Sequence, residues 1–277
     1  MSSWIEVINP NVKSRLGGIK YALIDFDGTI SVIRQGWENI MASVMIEMIC
    51  DGKTPTPEIE NDVRKYIDYS TGILTIKQME WLAEAVRRYG IAREPKSPYE
   101  YKQIYNERML SYIEDRIKGL MNGEIKPDDM MIMGARSFLE ELYKRGVIMY
   151  LASGTDHEYV LKEASALKIP QYFRGGIYGA LDRTEEHTKE RIIQKILNEN
   201  NLKGNELLVV GDGPVEIRNA KNRDAISLGV AADEVNRCGL NPHKRRRLIE
   251  AGADLIIPDY MRYKDIIAFL FNEEKED

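Results

Sequence analysis

The sequence predicts an α/β fold in which a parallel sheet carries a long all-helical insert. Three observations predict it. Short apolar runs recur with polar residues directly after them, helical periodicity alternates with those runs, and one block of about 100 residues holds helical patterns and no convincing strand. Runs that are apolar at nearly every position suit strands buried on both faces of a sheet. Their alternation with helices implies right-handed crossovers.

The first strand is Tyr21–Asp25, apolar until its last residue. Residues 33–130 then break the rhythm, with amphipathic stretches at Trp37–Ile49, Pro57–Tyr69, Ile76–Tyr89 and Pro98–Gly119. This insert separates the first strand from the second, so its ends must return to nearly the same place, and a cap over the strand ends is the simplest outcome. The expected division is a core of residues 1–32 plus 131–277 and a helical cap of residues 33–130. Met41, Met45 and Met48, at helical spacing, are expected to fill the cap's own core. Beyond the insert a helix runs from Ala135 to Arg145 and stops at Gly146, and a strand follows at Val147–Ala152. A helix is expected at Glu185–Asn201, ending near Gly204, and further strands at Glu206–Val210, Ala225–Val230 and Asp254–Ile257. The charged tail from Asn272 to Asp277 is expected to fray.

Composition narrows the function classes. With 277 residues, 43% of them hydrophobic and 30% charged, the chain can bury a large core. Lys and Arg number 39 against 44 Asp and Glu, a net charge of −5 that is too mild and of the wrong sign for a general nucleic-acid binder. Cys50 and Cys238 are the only cysteines, without paired spacing, so neither a disulfide framework nor a structural zinc site is expected. A reducing cytoplasm fits best. No window reaches 18 uninterrupted apolar residues, so a soluble, unprocessed protein without membrane contact is the expectation.

In open parallel sheets ligands bind beyond the carboxyl ends of the strands, so the polar residues that close the apolar runs matter most. Four clusters stand out: Asp25-Phe26-Asp27-Gly28-Thr29, Ser153-Gly154-Thr155, Lys189 at a helix start, and Gly211-Asp212-Gly213-Pro214-Val215-Glu216. Carboxylates two residues apart at a strand end repel one another unless positive charge sits between them. A divalent cation held by Asp25, Asp212 and a backbone carbonyl answers that need, and hard oxygen donors suit Mg²⁺ far better than zinc. With the cation and Lys189 neutralising an incoming phosphate, a carboxylate can attack phosphorus and form an aspartyl phosphate. Asp25 is the candidate nucleophile. Read singly, each cluster also has a plain structural meaning: a polar turn, a helix start with Thr155 or Asp156 as N-cap, a solvated helix lysine, or glycines that let the chain turn.

Taken together and in this order, these motifs resemble those of the haloacid dehalogenase-like phosphatase superfamily. The resemblance covers about 180 residues, loosely from Met1 to Val32 and then from about Met131 to Asp259, and rests on DFDGT at Asp25–Thr29, LASGT at Leu151–Thr155, Lys189 within HTKERI, and GDGPVE at Gly211–Glu216. It implies a Rossmann-like, doubly wound core with an inserted helical cap and a Mg²⁺ cofactor. It makes Asp25 nucleophile and metal ligand, and Asp27 the acid/base whose carbonyl also binds metal. Ser153 and the amide of Gly154 would hold phosphoryl oxygens, Lys189 would balance charge, and Asp212 would bind Mg²⁺. Glu216 departs from the Asp of many relatives and would reach the metal directly, reach it through water, or orient Lys189.

Within that family the acid at position 27 favours phosphate ester chemistry, because an alkoxide leaving group needs a proton and a halide does not. The implied activity is a phosphatase acting on a small phosphorylated metabolite, such as a sugar phosphate or a phosphoglycolate-like ester, as a monomer or homodimer. A phosphomutase using the same intermediate is the nearest alternative, and a regulator that binds a phosphorylated ligand without turnover the more distant one. Substrate choice is expected from the insert, through Arg34 after the first motif and through Thr71 and Gly72 in the polar break Tyr69–Gly72. His157, His187 and His243 read as surface or structural residues, and the basic run Lys244–Arg247 as a solvated face at the head of a short helix.

Overall fold

A computed structural model describes residues 4–92, 94–181 and 188–273. Among these, seven strands form one sheet: β1 (Glu6–Val7), β2 (Tyr21–Asp25), β3 (Ile148–Asp156), β4 (Gly176–Ala180), β5 (Leu207–Gly211), β6 (Ile226–Val230) and β7 (Leu255–Ile257). Their order across the sheet is β1-β7-β6-β5-β2-β3-β4, and every pair is parallel except β1 with β7. Sequence pattern does not mark β1 and β4. The first is a two-residue edge, and the second, Gly-Ile-Tyr-Gly-Ala, carries two glycines that blur a strand signature.

Strand β2 is central, with β3 on one side and β5 on the other. The chain therefore winds outward in one direction through β3 and β4 and in the opposite direction through β5, β6 and β7. Loops at the carboxyl end of β2 diverge at that switch and leave a crevice there. Helices α5 (Ala135–Lys144), α6 (His157–Ala166), α7 (Lys189–Glu199), α8 (Pro214–Lys221), α9 (Pro242–Ala251) and α10 (Tyr263–Leu270) complete the core. Alternate residues of β2 point to opposite faces, as the pleat requires. Leu23 is buried with Ile192, Ile193 and Ile196 of α7, whereas Ile24 is buried with Phe138 and Leu139 of α5. Residues Glu185, Glu186 and His187, expected to open α7, lie outside the described residues.

Between β2 and β3 come α1 (Trp37–Cys50), α2 (Pro57–Tyr69), α3 (Thr75–Tyr89) and α4 (Pro98–Asn122). Their starts are chemically marked. Thr56 caps α2 by accepting from the Ile59 amide at 3.4 Å, and Ser97 and Glu100 cap each other across the first turn of α4, whose first residue is Pro98. The four helices bury Met41, Met45, Val63, Met79, Leu82 and Met109 among themselves and against the core. The two ends of the insert meet: Val32 N donates to Met130 O at 3.0 Å, and Ile132 N to Ile30 O at 3.0 Å.

One boundary differs from expectation. Strand β3 continues through Ser153, Gly154 and Thr155 to Asp156, and α6 starts directly after it. Asp156 occupies the N-cap position, but its carboxylate makes no capping bond. It pairs instead with Lys102 of α4 at 2.5 Å and accepts from Asn106 at 2.9 Å. A nearly buried ammonium outcompetes a neutral amide for the same carboxylate.

Candidate active site

Asp25 and Asp212 arrive side by side because β2 and β5 are adjacent and in register, Ile24 opposite Val210. Asp25 ends β2, and Asp212 follows the last residue of β5; both are almost fully buried. Lys189, the first residue of α7, reaches over β2 from one flank, its helix capped by the Thr188 hydroxyl. Its ammonium lies 2.7 Å from Asp25 Oδ1 and 3.1 Å from Glu216 Oε2. The other oxygen of Glu216 accepts from the Gly213 amide at 2.8 Å, so this residue caps α8 and orients Lys189 at once.

Asp27 faces the same point from the turn after β2. Its Oδ2 accepts from the hydroxyls of Ser153 at 3.0 Å and Thr155 at 3.1 Å, while Oδ1 is buried with no hydrogen-bond partner. Such an orphaned oxygen is costly unless a ligand completes it.

Burial pushes the Asp25 carboxyl well above the ordinary carboxylate range; Lys189 opposes this, while Glu216 and Asp212 add to it. Burial works against the Lys189 ammonium too, but the neighbouring Asp25 and Glu216 carboxylates outweigh it and hold its pKa above the usual lysine value. Asp212 is buried as well, yet Lys244 and Arg247 outweigh that penalty and keep its carboxyl below the ordinary range.

The donor set fits a hard divalent cation. Asp25, Asp212 and Glu216 are buried and each places an oxygen within 4.8 Å of the others, with no nitrogen or sulfur ligand among them. The Thr29 hydroxyl lies 3.3 Å from Asp25 Oδ2 and 3.4 Å from Asp212 Oδ1, so those two oxygens face one shared point. The remaining oxygen of each is occupied, Asp25 Oδ1 by Lys189 and Asp212 Oδ2 by Lys244 at 2.8 Å and Arg247 at 3.1 Å.

The reading of Lys244–Arg247 as a solvated face is therefore overturned. Lys244 is 5% exposed and also binds Glu234 at 2.6 Å and the Gly28 carbonyl at 3.3 Å. Arg247 grips the carbonyl of Asp212 at 2.9 Å and reaches into the insert, to Asp68 at 3.2 Å and the Thr71 hydroxyl at 3.3 Å. Arg245 pairs with Glu6, and Arg246 alone of the run is exposed. The available signal was spacing. Positions 244 and 247 share one helix face, and a lysine in a helix's first turn opposes the macrodipole unless an anion compensates it.

From the insert, the loop after α2 presses onto the core. Gly72 has φ +95°, and a Cβ there would sit 2.5 Å from Glu216 Oε2 and 3.3 Å from Lys189 Nζ. On the core side, a Cβ on Gly154 would sit 2.1 Å from the carbonyl oxygen of Ile73. Thr71 donates to Ile67 O at 3.1 Å. Arg34 is buried, with Nε and Nη2 on Glu163 of α6 at 2.6–3.1 Å. What remains is a cavity of about 60 Å³. Asp25, Asp27 and Lys189 line its floor, and Arg34, Gln78 and Tyr105 line its roof. His157 is structural, accepting from the Gly179 amide at 3.3 Å, and His243 is exposed. His187 lies outside the described residues.

A model of the family described as haloacid dehalogenase-like hydrolase matches residues 19–222. The chain belongs to the haloacid dehalogenase-like hydrolases. A search of curated proteins finds no match to this hydrolase. Among solved structures it is similar to a predicted phosphatase from Clostridium acetobutylicum, with 16% identity, coverage of 90% of this chain and 98% of that one, and a TM-score of 0.56. A predicted phosphoglycolate phosphatase from Haemophilus somnus gives the same four values. A beta-phosphoglucomutase from Clostridium difficile is 16% identical over 92% of this chain and 97% of that one, with a TM-score of 0.58. At such identities the likeness is one of fold. Among its described residues, the hydrolase has no helix long and apolar enough to cross a membrane.

Proposed function

We propose that this hydrolase is a Mg²⁺-dependent phosphatase that cleaves a small phosphorylated metabolite through an aspartyl-phosphate intermediate on Asp25. The observation that carries the reading is convergence: Asp25 and Asp27, Lys189, and Asp212, from three separate segments, line one small cavity. Asp25 attacks phosphorus, while the Lys189 ammonium stabilises both the ionised carboxylate and the charge that builds on the phosphoryl oxygens. Mg²⁺, held by Asp25 and Asp212 with Glu216 and the Asp27 carbonyl available, would supply the further positive charge that phosphoryl transfer needs.

Asp27 works through Oδ1, because Ser153 and Thr155 hold Oδ2. In its protonated form it gives that proton to the departing alkoxide as the ester P–O bond breaks. It then takes one from the water that displaces Asp25 from phosphorus, which restores the enzyme. Ser153 exchanges its bond to Asp27 for one to a phosphoryl oxygen, beside the Gly154 amide. The two free cysteines are in keeping with a cytoplasmic setting.

The test is phosphate release from p-nitrophenyl phosphate and from a panel of metabolite monoesters, with and without EDTA. Release that EDTA abolishes and Mg²⁺ restores supports the reading. Isomerised sugar phosphate without net release would show a phosphomutase instead.

A further inference from the structure

Resting on the phosphatase reading, the geometry points to the class of alcohol that leaves: we propose that the roof of the cavity is built for a small, uncharged, hydroxyl-bearing group and against a carboxylate.

Charge is the first ground. Among the described residues, the cationic side chains lining the cavity are Lys189 and Arg34. Lys189 already lies between Asp25 and Glu216. Arg34, at 4% exposure, is matched by Glu163, at 2%, through three hydrogen bonds of 2.6–3.1 Å. A carboxylate on the leaving group would find no unspent cation and would lie close to Asp27, in a site where an uncompensated charge is expensive.

Hydrogen-bonding valence is the second ground. Three polar groups of the roof keep capacity that no described residue takes up. The Tyr105 hydroxyl is nearly buried and unpartnered. Arg34 Nη1 donates to no described residue, since only Nε and Nη2 engage Glu163. Gln78 spends its amide nitrogen on Ser70 Oγ at 3.1 Å, and its oxygen is left. Ser70 Oγ lies 3.4 Å from Ile67 O, and with its hydrogen directed there its oxygen accepts from Gln78. Arginine needs an acceptor, the glutamine oxygen needs a donor, and tyrosine can serve as either. Hydroxyls supply both, whereas a carboxylate is an acceptor only and would strand Gln78.

Size is the third. About 60 Å³ is only a handful of the roughly 10–15 Å³ volumes that single waters need on the same measure. With the insert closed, a phosphoryl group and an alcohol of a few carbons fill it.

The experiment compares kcat/KM for glycerol 3-phosphate, propyl phosphate, 2-phosphoglycolate and 3-phosphoglycerate in saturating Mg²⁺. Glycerol 3-phosphate is expected to lead, with the two carboxylate esters at least about tenfold behind, the order of one unmatched polar contact. Tyr105→Phe is expected to narrow the glycerol-to-propyl ratio by roughly 2- to 12-fold, the equivalent of one neutral hydrogen bond. Glu163→Gln frees the Arg34 charge and is expected to raise phosphoglycolate relative to glycerol phosphate by about tenfold or more. If that variant does not fold, the wild-type ranking and the Tyr105→Phe ratio decide. Carboxylate esters leading in the wild type, or a ratio unmoved in Tyr105→Phe, overturns this inference while leaving the phosphatase reading in place. Absence of Mg²⁺-dependent release from all four esters removes both.

Discussion

Replacing Lys244 with methionine removes an ammonium that three buried or nearly buried acceptors share: Asp212 Oδ2 at 2.8 Å, Glu234 Oε1 at 2.6 Å and the Gly28 carbonyl at 3.3 Å. Methionine keeps most of the volume, so the loss is electrostatic. Breaking a buried ion pair by deleting one partner costs about 3–5 kcal/mol, because the other charge stays buried and uncompensated. Arg247 still holds Asp212 in the variant, which places the expectation at about 3 kcal/mol, the lower end of that range. For a chain of this size that corresponds to a fall in Tm of roughly 6–12 °C. Urea unfolding of the metal-free protein measures it.

The pH dependence follows from the directions of two shifts. Burial works against Lys244, but Asp212 and Glu234 raise its pKa above the usual 10.5, so its contribution is complete below 10.5 and fades only as pH climbs through the higher folded value. Asp212 sits below its usual 3.8, so its contribution is complete above 3.8 and is lost only as pH falls through the lower folded value. The gap between wild type and variant is therefore flat from about pH 5 to pH 9. The double variant with Glu234→Gln recovers part of it, since the stranded carboxylate is gone. A Lys244→Met protein within about 1 kcal/mol of wild type would refute the reasoning, for that is the cost of losing a surface pair.

Asp25→Asn is expected to abolish turnover yet raise the stability of the metal-free protein at pH 8, because burial holds the Asp25 pKa above its usual 3.8 and ionisation there is a cost to the folded state. Thermal melts should show that gain shrinking as pH falls through the raised folded value and vanishing below 3.8. Asp27→Asn is expected to lower kcat by at least roughly 10²-fold, as for a lost general acid, with the deficit smaller for esters of good leaving groups such as p-nitrophenol. Gly154→Ala would put a methyl 2.1 Å from Ile73 O, forcing the insert off the core at a cost of about 1–3 kcal/mol. It should reduce kcat/KM by about tenfold or more, and faster amide exchange in the loop 70–74 would check the cause.

The sheet was legible because β2, β5 and β6 are buried on both faces and so read as unbroken apolar runs. Strand β1 left no such trace, being two residues that pair antiparallel with β7 at an edge. The candidate catalytic acids could be singled out because they sit at or directly after the ends of the buried runs, where the chain must leave the sheet. Asp156 marks the limit of that logic: a local rule made it a helix cap, whereas a lysine 54 positions earlier in the chain, on α4, claims its carboxylate. No sequence window contains both partners.

Lys244 and Arg247 went unread for a related reason. A basic run beside a helix start looks solvated unless the anion it meets is known, and Asp212 lies more than 30 positions earlier, just after β5. Once the fold brings them together, their effect on the site is geometric. Both cations hold Oδ2 of Asp212, which turns Oδ1 toward Thr29 and the oxygen of Asp25. Arg247 does so while also bonding Asp68 and Thr71 of the insert, so the side chain that sets the carboxylate's orientation is itself seated by the insert. A site assembled in this way is ordered by contacts from the insert as well as from the sheet, and the insert lines the cavity, where each charge counts for more than it would in open water.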